Sequence, residues 1–562
     1  MAELLRLKKS NCRNCYKCIR NCPVQAIRFY GDQAYIANDM CVYCGRCFAA
    51  CPQEAQEFAD STEAVRALLQ GGEKVIASLS PAFAAYYDGV GFQSIRRALL
   101  ALGFSDVEET ARGAVYVKRE YERILRDENR DVILSSACHA VNLLVMKYYP
   151  SLSKYLAPVV SPMIAHARAI KESEPEAKIV YIGSCLSAKD EALSGGVDAV
   201  LTFSELDRML HEKQIVFDTI PDEKSEAGIT KLFAVAGGIL KSMACDKDEY
   251  SYMSVDGMDD CRNVLEELEK GNISRCFIEL SACAGGCVGG PVMKKYEHSP
   301  IRHYQLVVSG AGHRDYEVAV MPEKCFRCEY ISDRMERTEP SEEEIRSVLH
   351  QMGKIHPEQE LNCGTCGYDS CREMAAAVCR GKADISMCQP YVMEKSEHFT
   401  NTILDNSPNG ILVLNEEYEV QRINRAAMQM LHIQFQSDVL GQPVMNIMDP
   451  IPFMEVLQDK IPVVARRDYY AEYGIYLEQT ILHDATARLL LAFLRDVTVE
   501  EADRQYHERL LEQTAETADK VVDKQMRVVQ EIASLLGEAA AETKIALTKL
   551  KESMSHEHEH DQ

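Results

Sequence analysis

The chain has 562 residues, 46% of them hydrophobic and 26% charged, which is globular composition with length for several domains. Its net charge of −24 argues against a nucleic-acid scaffold or a basic membrane-surface protein, both of which need positive patches. No apolar run approaches the roughly 18 residues of a spanning helix, and the opening MAELLRLKKSNC has no apolar signal region, so no membrane contact and a cytoplasmic location are expected.

Twenty-two cysteines occur, strongly clustered. In a reducing compartment clustered thiols read as metal or iron–sulfur ligands rather than disulfides. The first run contains Cys12, Cys15, Cys18 and Cys22 followed by Pro23. The second repeats that spacing with Cys41, Cys44, Cys47 and Cys51 followed by Pro52. Three thiolates on one tight loop can cap three irons of a cube, while the fourth crosses to the other cube. Zinc fits less well, because its four ligands usually come as two CxxC pairs. The pattern resembles the bacterial two-cluster ferredoxin, expected over residues 1–58. Asp32, Tyr35 and Ile36 fall in a strand-like linker and read as structural.

From residue 59 to 350 elements alternate. EKVIASLS reads as a buried strand, FQSIRRALLALGF as an amphipathic helix, and GAVYV as a short apolar run before the helix KREYERILRD. DVILSSAC, KIVYIGSC and SRCFIELSAC are three apolar runs that each deliver a cysteine at the C-terminal end. In open α/β sheets ligands sit at those ends, so Cys138, Cys185, Cys283 and the nearby Cys287 can converge on one site. Gly286 and Gly289, in ACAGGCVGGP, are candidates for close backbone approach to an inorganic group. A buried core cysteine is the alternative for any one of these thiols.

The motifs SSACHAV, SCLSAK and ELSACAGGCVGG resemble those of the iron-only (di-iron) hydrogenase large subunit, as do KYYPSL and Ser161–Pro162. The resemblance implies that Cys138, Cys185, Cys283 and Cys287 hold a 4Fe-4S cube. It also implies that Cys287 bridges to a two-iron subsite carrying CO and cyanide. Departures accompany the match. The family's proton-donating cysteine falls on Ala137, and alanine cannot carry a proton. The family's cyanide-holding lysine falls on Ala188, which leaves Lys189 as the candidate cofactor contact, or as a solvent-facing lysine. Two family methionines fall on Gly183 and Ser281, and the chain has no Trp. His139 could replace the proton donor, with a structural role as its alternative. Cys325 and Cys328 form half a zinc site with no second pair nearby and read as non-ligating.

Residues 351–393 carry Cys363, Cys366, Cys371 and Cys388, a spacing that resembles a small 4Fe-4S domain of acetyl-CoA-synthesis and sensory hydrogenase-like proteins. Cys379 lies at an apolar helical position and reads as core. Residues 394–505 resemble a PAS domain, with a turn at Asn415 to Glu417; His432 and His483 are weak haem candidates. From 506 to 555 apolar residues from Val522 to Met554 recur at steps of 4 and 3 beside a second apolar stripe, which predicts a coiled or bundled helix and a homodimer. Residues 556–562 are expected to be a disordered tail.

The expected fold is α/β multidomain: a ferredoxin-like domain, a hydrogenase-like α/β core, a small helical 4Fe-4S domain, an α+β PAS domain and a C-terminal helix. The implied cofactors are four 4Fe-4S clusters, with a two-iron subsite in addition. The leading functional expectation is a redox- or hydrogen-sensing signal-transduction protein, served by ferredoxin or another electron carrier and speaking to a downstream protein. A low-activity hydrogenase, or an electron relay without the two-iron subsite, are the alternatives.

Overall fold

The computed structural model describes residues 4–31, 33–128, 130–218, 220–222, 225–245, 248–293, 299–331 and 339–556. Asp32 and the tail 557–562 lie outside them. The chain divides into two compact units, Met1–Val392 and Met393–Gln562.

The first unit is built on two parallel sheets. In one, the strands run in the order Asp106–Glu109, Val75–Leu79, Lys178–Gly183 and Ala199–Thr202. In the other the order is Ser251–Asp256, Cys276–Ser281 and Val132–Leu134. Parallel strands covered on both faces read as continuous apolar runs, and every residue of Val75–Leu79 is buried. The three cysteine-bearing runs are thus shared between two sheets, and the cysteine site bridges them.

Helices Ala111–Asp127 and Pro162–Ser173 pack closely against each other, and Pro162–Ser173 packs against strand Val75–Leu79 of the first sheet. GAVYV, read as an apolar run before a helix, is the buried first half of helix Ala111–Asp127. A five-residue apolar segment cannot distinguish strand from buried helix by periodicity alone. Gly113 makes the helix crossing possible: a Cβ there would lie 2.3 Å from Pro162 O and 2.6 Å from His166 N.

The N-terminal segment pairs Leu5–Leu7 with Gln56–Phe58 and Ile27–Tyr30 with Gln33–Ile36, both antiparallel, and each cysteine run leads into a short helix, Lys17–Arg20 or Arg46–Ala50. This ferredoxin-like segment is clamped to the core. Lys147 Nζ donates to Asp39 O at 2.8 Å and Cys41 O at 2.9 Å, Tyr148 donates to Met40 O at 2.6 Å, and Arg262 donates to Pro23 O at 3.0 Å.

In the second unit a five-stranded antiparallel sheet has the order Val420–Ile423, Gly410–Asn415, Leu489–Asp496, Ile475–Asp484 and Val463–Tyr470. Its apolar face buries Leu412, Leu414, Leu477, Ile481, Leu490 and Leu494. The Asn415 side chain closes the first hairpin by accepting from Glu417 N at 3.1 Å and Glu419 N at 2.8 Å. Helix Thr498–His556 follows, and Val522, Met526, Val529, Leu536, Leu547 and Leu550 on it are exposed. Among the described residues no helix is long and apolar enough to cross a membrane.

Replacing Gly113 by alanine forces two packed helices apart, and overpacking of this kind costs about 1–3 kcal/mol. Thermal unfolding of Gly113→Ala should show a lowered midpoint for the first unit; an unchanged midpoint would mean that the crossing is soft.

Candidate iron–sulfur and cofactor site

The N-terminal cysteines fall into two groups that exchange their last members. Cys12, Cys15, Cys18 and Cys51 line one small cavity. Cys22 instead lies within electrostatic reach of Cys41, Cys44 and Cys47. Backbone N–H groups point at three sulfurs: Ala26 N to Cys22 at 3.2 Å, Tyr43 N to Cys41 at 3.3 Å and Ala55 N to Cys51 at 3.3 Å. Burial pushes the thiols of Cys18, Cys41 and Cys44 up to about 12. Such thiols ionise only against strong positive charge, which iron supplies. Donor chemistry, grouping and N–H···S contacts all fit a cluster.

A third group forms where the strand ends meet. Cys138, Cys185, Cys283 and Cys287 lie within mutual electrostatic reach and line a cavity of about 120 Å³. Burial pushes all four thiols up, Cys138 to about 11. Cys287 is the most accessible of the four. Glu279, raised to about 7 by burial, accepts from Leu240 N at 3.1 Å and so holds a segment whose Ala234 and Ile239 wall the cavity. Cys363, Cys366, Cys371 and Cys388 form the fourth group, with Cys363 and Cys371 both within reach of Cys388. Among the described residues no three His, Cys, Asp or Glu side chains close to the spacing of a single metal ion.

The groups succeed one another in space. Gly45, at φ +73°, lies between Cys44 and Cys47, and a Cβ there would stand 2.5 Å from Pro291 Cγ and 2.9 Å from Leu186 Cδ1. Those two residues flank the loops of Cys185 and Cys287, and Cys44 lies within electrostatic reach of Cys283. On the far side, Gly367 abuts Ile19, with 3.1 Å from its Cβ position to Ile19 Cβ. The small domain therefore touches the loop of Cys18, and the N-terminal groups stand between it and the central one.

Around the central cavity Lys189 and Gly289 serve purposes other than those expected, while Gly286 and His139 line it. Lys189 does not reach it: its Nζ donates to Ala59 O at 2.8 Å, Ser61 Oγ at 2.7 Å, Val200 O at 3.3 Å and Glu205 Oε1 at 2.8 Å. A buried ammonium needs an ion partner and acceptors, and Glu205 with this ring of oxygens supplies them. Gly289 is small for its own loop, since a Cβ would meet Ala284 O at 1.8 Å. Gly286 lines the cavity, but its missing Cβ lets it lie against the backbone of residues 234–236. His139 also lines the cavity, with its Nε2 2.8 Å from Asp190 Oδ2.

Other lining residues carried no sequence signal: Ser80, Thr110, Tyr181, Glu191 and Thr230 are scattered over the chain. Tyr181 explains one departure. Its hydroxyl stands 2.6 Å from where a Cβ on Gly183 would be, so the phenol occupies the space a side chain there would fill. The lining at Ala137, Ala188 and Gly286 is small, which leaves room beside Cys287. That room suits a further group, but the lysine that would anchor a cyanide is committed elsewhere.

Cys261 and Cys276 are buried in the core, Cys379 packs against it, Cys245 is exposed, and the Cys328 thiol lies beside the Tyr330 hydroxyl. In the second unit His483 Nε2 lies 3.3 Å from Glu416 and His432 packs edge-on to Tyr473.

Loss of Cys22 should strip iron from the group of Cys41, Cys44 and Cys47 and leave that of Cys12, Cys15 and Cys18. Iron analysis and electron paramagnetic resonance of Cys22→Ser test this; loss from the group of Cys12, Cys15 and Cys18 alone would refute the exchange.

Comparison with known proteins gives four domain matches. The iron-only hydrogenase large subunit, C-terminal domain, matches residues 73–291. A 4Fe-4S dicluster domain matches 4–66, a small Fe-S cluster family 359–390, and a PAS domain 398–461. The chain is 25% identical over 327 residues to the NADP-reducing hydrogenase subunit HndD of Solidesulfovibrio fructosivorans, covering 45% of this chain and 56% of that one. It thus spans little more than half of that relative. It is 26% identical over 311 residues to the periplasmic Fe hydrogenase large subunit of Nitratidesulfovibrio vulgaris, covering 43% and 73%. The structure of FeFe-hydrogenase HydA1 from Chlamydomonas reinhardtii aligns at 15% identity and a TM-score of 0.38, over 50% of this chain and 100% of that one. The chain is a hydrogenase-like iron–sulfur protein, with an iron-only hydrogenase large-subunit domain joined to 4Fe-4S and PAS domains.

Proposed function

We propose that this protein senses redox state or hydrogen and passes the signal on by contact. Four 4Fe-4S clusters, one per cysteine group, carry electrons between a ferredoxin or similar carrier and the central cavity. The PAS domain and the long helix form the output toward a downstream protein. The observation that carries this reading is the pairing of a complete four-thiol group with Ala137 at the cavity wall. A site that keeps its cluster ligands but loses its proton donor suits occupancy better than flux, because a positioned donor contributes ~10²–10⁴ in rate. A two-iron CO and cyanide group, when bound beside Cys287, would supply the chemistry that binds hydrogen. Cysteines clustered at metal-ligand spacing suit a reducing compartment, the cytoplasm.

The commitment of Lys189 to Glu205 favours a second reading, an electron relay without the two-iron group. Infrared spectroscopy separates the two. Metal-bound CO and cyanide bands, together with slow hydrogen evolution that rises ~10²-fold or more in Ala137→Cys, support the sensor. Absent bands after maturation with the two-iron cofactor leave the relay, and fast evolution by the unmodified protein restores a working hydrogenase.

The exposed apolar positions of helix Thr498–His556 need a partner, since lone helices are marginal in water. We assign that partner to a second copy. Sedimentation should show a dimer that dissociates on removal of residues 511–562 with iron content unchanged; a monomeric full chain would end the assignment.

A further inference from the structure

The cavity beside the central cysteines lacks a proton donor at Ala137, yet a chain of proton-carrying groups reaches it at Thr110. Thr110 lines the cavity. Its hydroxyl is 2.8 Å from Ser78 Oγ, which is 2.8 Å from His166 Nδ1. The other ring nitrogen, Nε2, is 3.3 Å from Glu108 Oε2. Glu108 lines an open groove of about 1430 Å³ and keeps 32% of its side chain exposed. Between solvent and cavity the three inner groups are sealed: Ser78 is 0%, His166 2% and Thr110 5% exposed.

We propose that Glu108, His166, Ser78 and Thr110 form a proton relay from the groove to the central cavity. The proposal rests on the reading that the four cysteines of that cavity hold a redox cluster, whose reduction draws a proton inward.

Imidazole can accept at one nitrogen while donating at the other, and hydroxyls do both at one atom. A proton from groove water lands on the Glu108 carboxylate and passes to Nε2 of His166. Nδ1 releases its proton to Ser78 Oγ, Ser78 releases its own to Thr110 Oγ1, and Thr110 releases its own into the cavity. Each group gains one proton and loses one, and the cavity gains the charge that left the groove. Rotation of the two hydroxyls and tautomer exchange of the ring restore the starting polarity.

The fold holds this geometry rigidly. Ser78 and Glu108 are register partners on adjacent parallel strands, and Thr110 follows that strand with its N–H on Leu79 O at 2.9 Å. Gly113 lets the backbone carrying His166 come against the helix that Thr110 caps. Of the charged groups lining the groove, Asp106 and Arg112 act on Glu108, with Arg112 Nε 3.9 Å from its carboxylate; Glu109, Arg96 and Lys231 line it too. Purely structural pairing would explain the burial of His166 and Ser78. It would not require the chain to run unbroken from an open groove to a cavity wall.

The test is flash reduction of the full-length iron–sulfur protein with a pH-indicator dye, following proton uptake in time. It needs no two-iron group. The unmodified protein should take up protons after reduction. Thr110→Val, which keeps the shape and removes the hydroxyl, and His166→Phe should slow the phase at least tenfold, while Thr110→Ser stays within twofold. Clusters distant from the cavity contribute equally in every variant. If His166→Phe fails to fold, the Thr110→Val and Thr110→Ser pair carries the test alone. No uptake in the unmodified protein, or an equal rate in Thr110→Val, overturns the relay. Missing CO and cyanide bands would instead count against hydrogen sensing and leave this result standing.

Discussion

The arrangement depends on one backbone contact. At Gly45 the N-terminal cysteine loop presses so closely on Pro291 and Leu186 that no Cβ fits, and the left-handed φ of +73° disfavours other residues as well. This contact keeps Cys44 within electrostatic reach of Cys283 across the junction of two domains. The surrounding bonds from Lys147, Tyr148 and Arg262 to backbone carbonyls keep the loop from sliding. The packing of Gly367 on Ile19 repeats the device on the opposite side. Tight glycine contacts thus bring successive thiol groups together.

Within the central cavity the polar features have been redistributed rather than simply lost. Ala137 contributes a methyl group, while Ser80, Thr110, Tyr181, Glu191 and Thr230 add oxygens from other walls. Tyr181 fills the space left by Gly183, so the two positions are one packing solution. Lys189 has become part of the foundation, where its ion pair with Glu205 ties residues 59–61 to the strand end at Val200. Removing either member of such a pair leaves a buried charge, so the position is stable for reasons unrelated to a cofactor.

The second unit has a different economy of burial. Its antiparallel sheet packs one apolar face into a closed core, whereas the following helix leaves Val522, Met526, Val529 and Leu536 in water. Such a stripe is an exposed apolar surface of the kind that marks an interaction site.

The sequence by itself determined which thiols belong together locally. Cysteine spacing is a short-range property of loop geometry, so the two N-terminal runs and the Cys363 to Cys388 run are legible without a fold. Buried parallel strands were legible too, as apolar runs, although GAVYV shows that such a run can equally be half of a helix. Only the tertiary structure decided where Lys189 points, what Gly289 is small for, and which residues face the cavity. Those outcomes depend on packing between segments far apart in the chain, such as Ala59 and Ser61 around Lys189 or residues 234–236 against Gly286. The path from Glu108 through His166 and Ser78 to Thr110 is the clearest case. Its members come from two strands, the start of one helix and the middle of another, and no spacing along the chain links them until the sheet register and the close helix crossing at Gly113 bring them within hydrogen-bond distance.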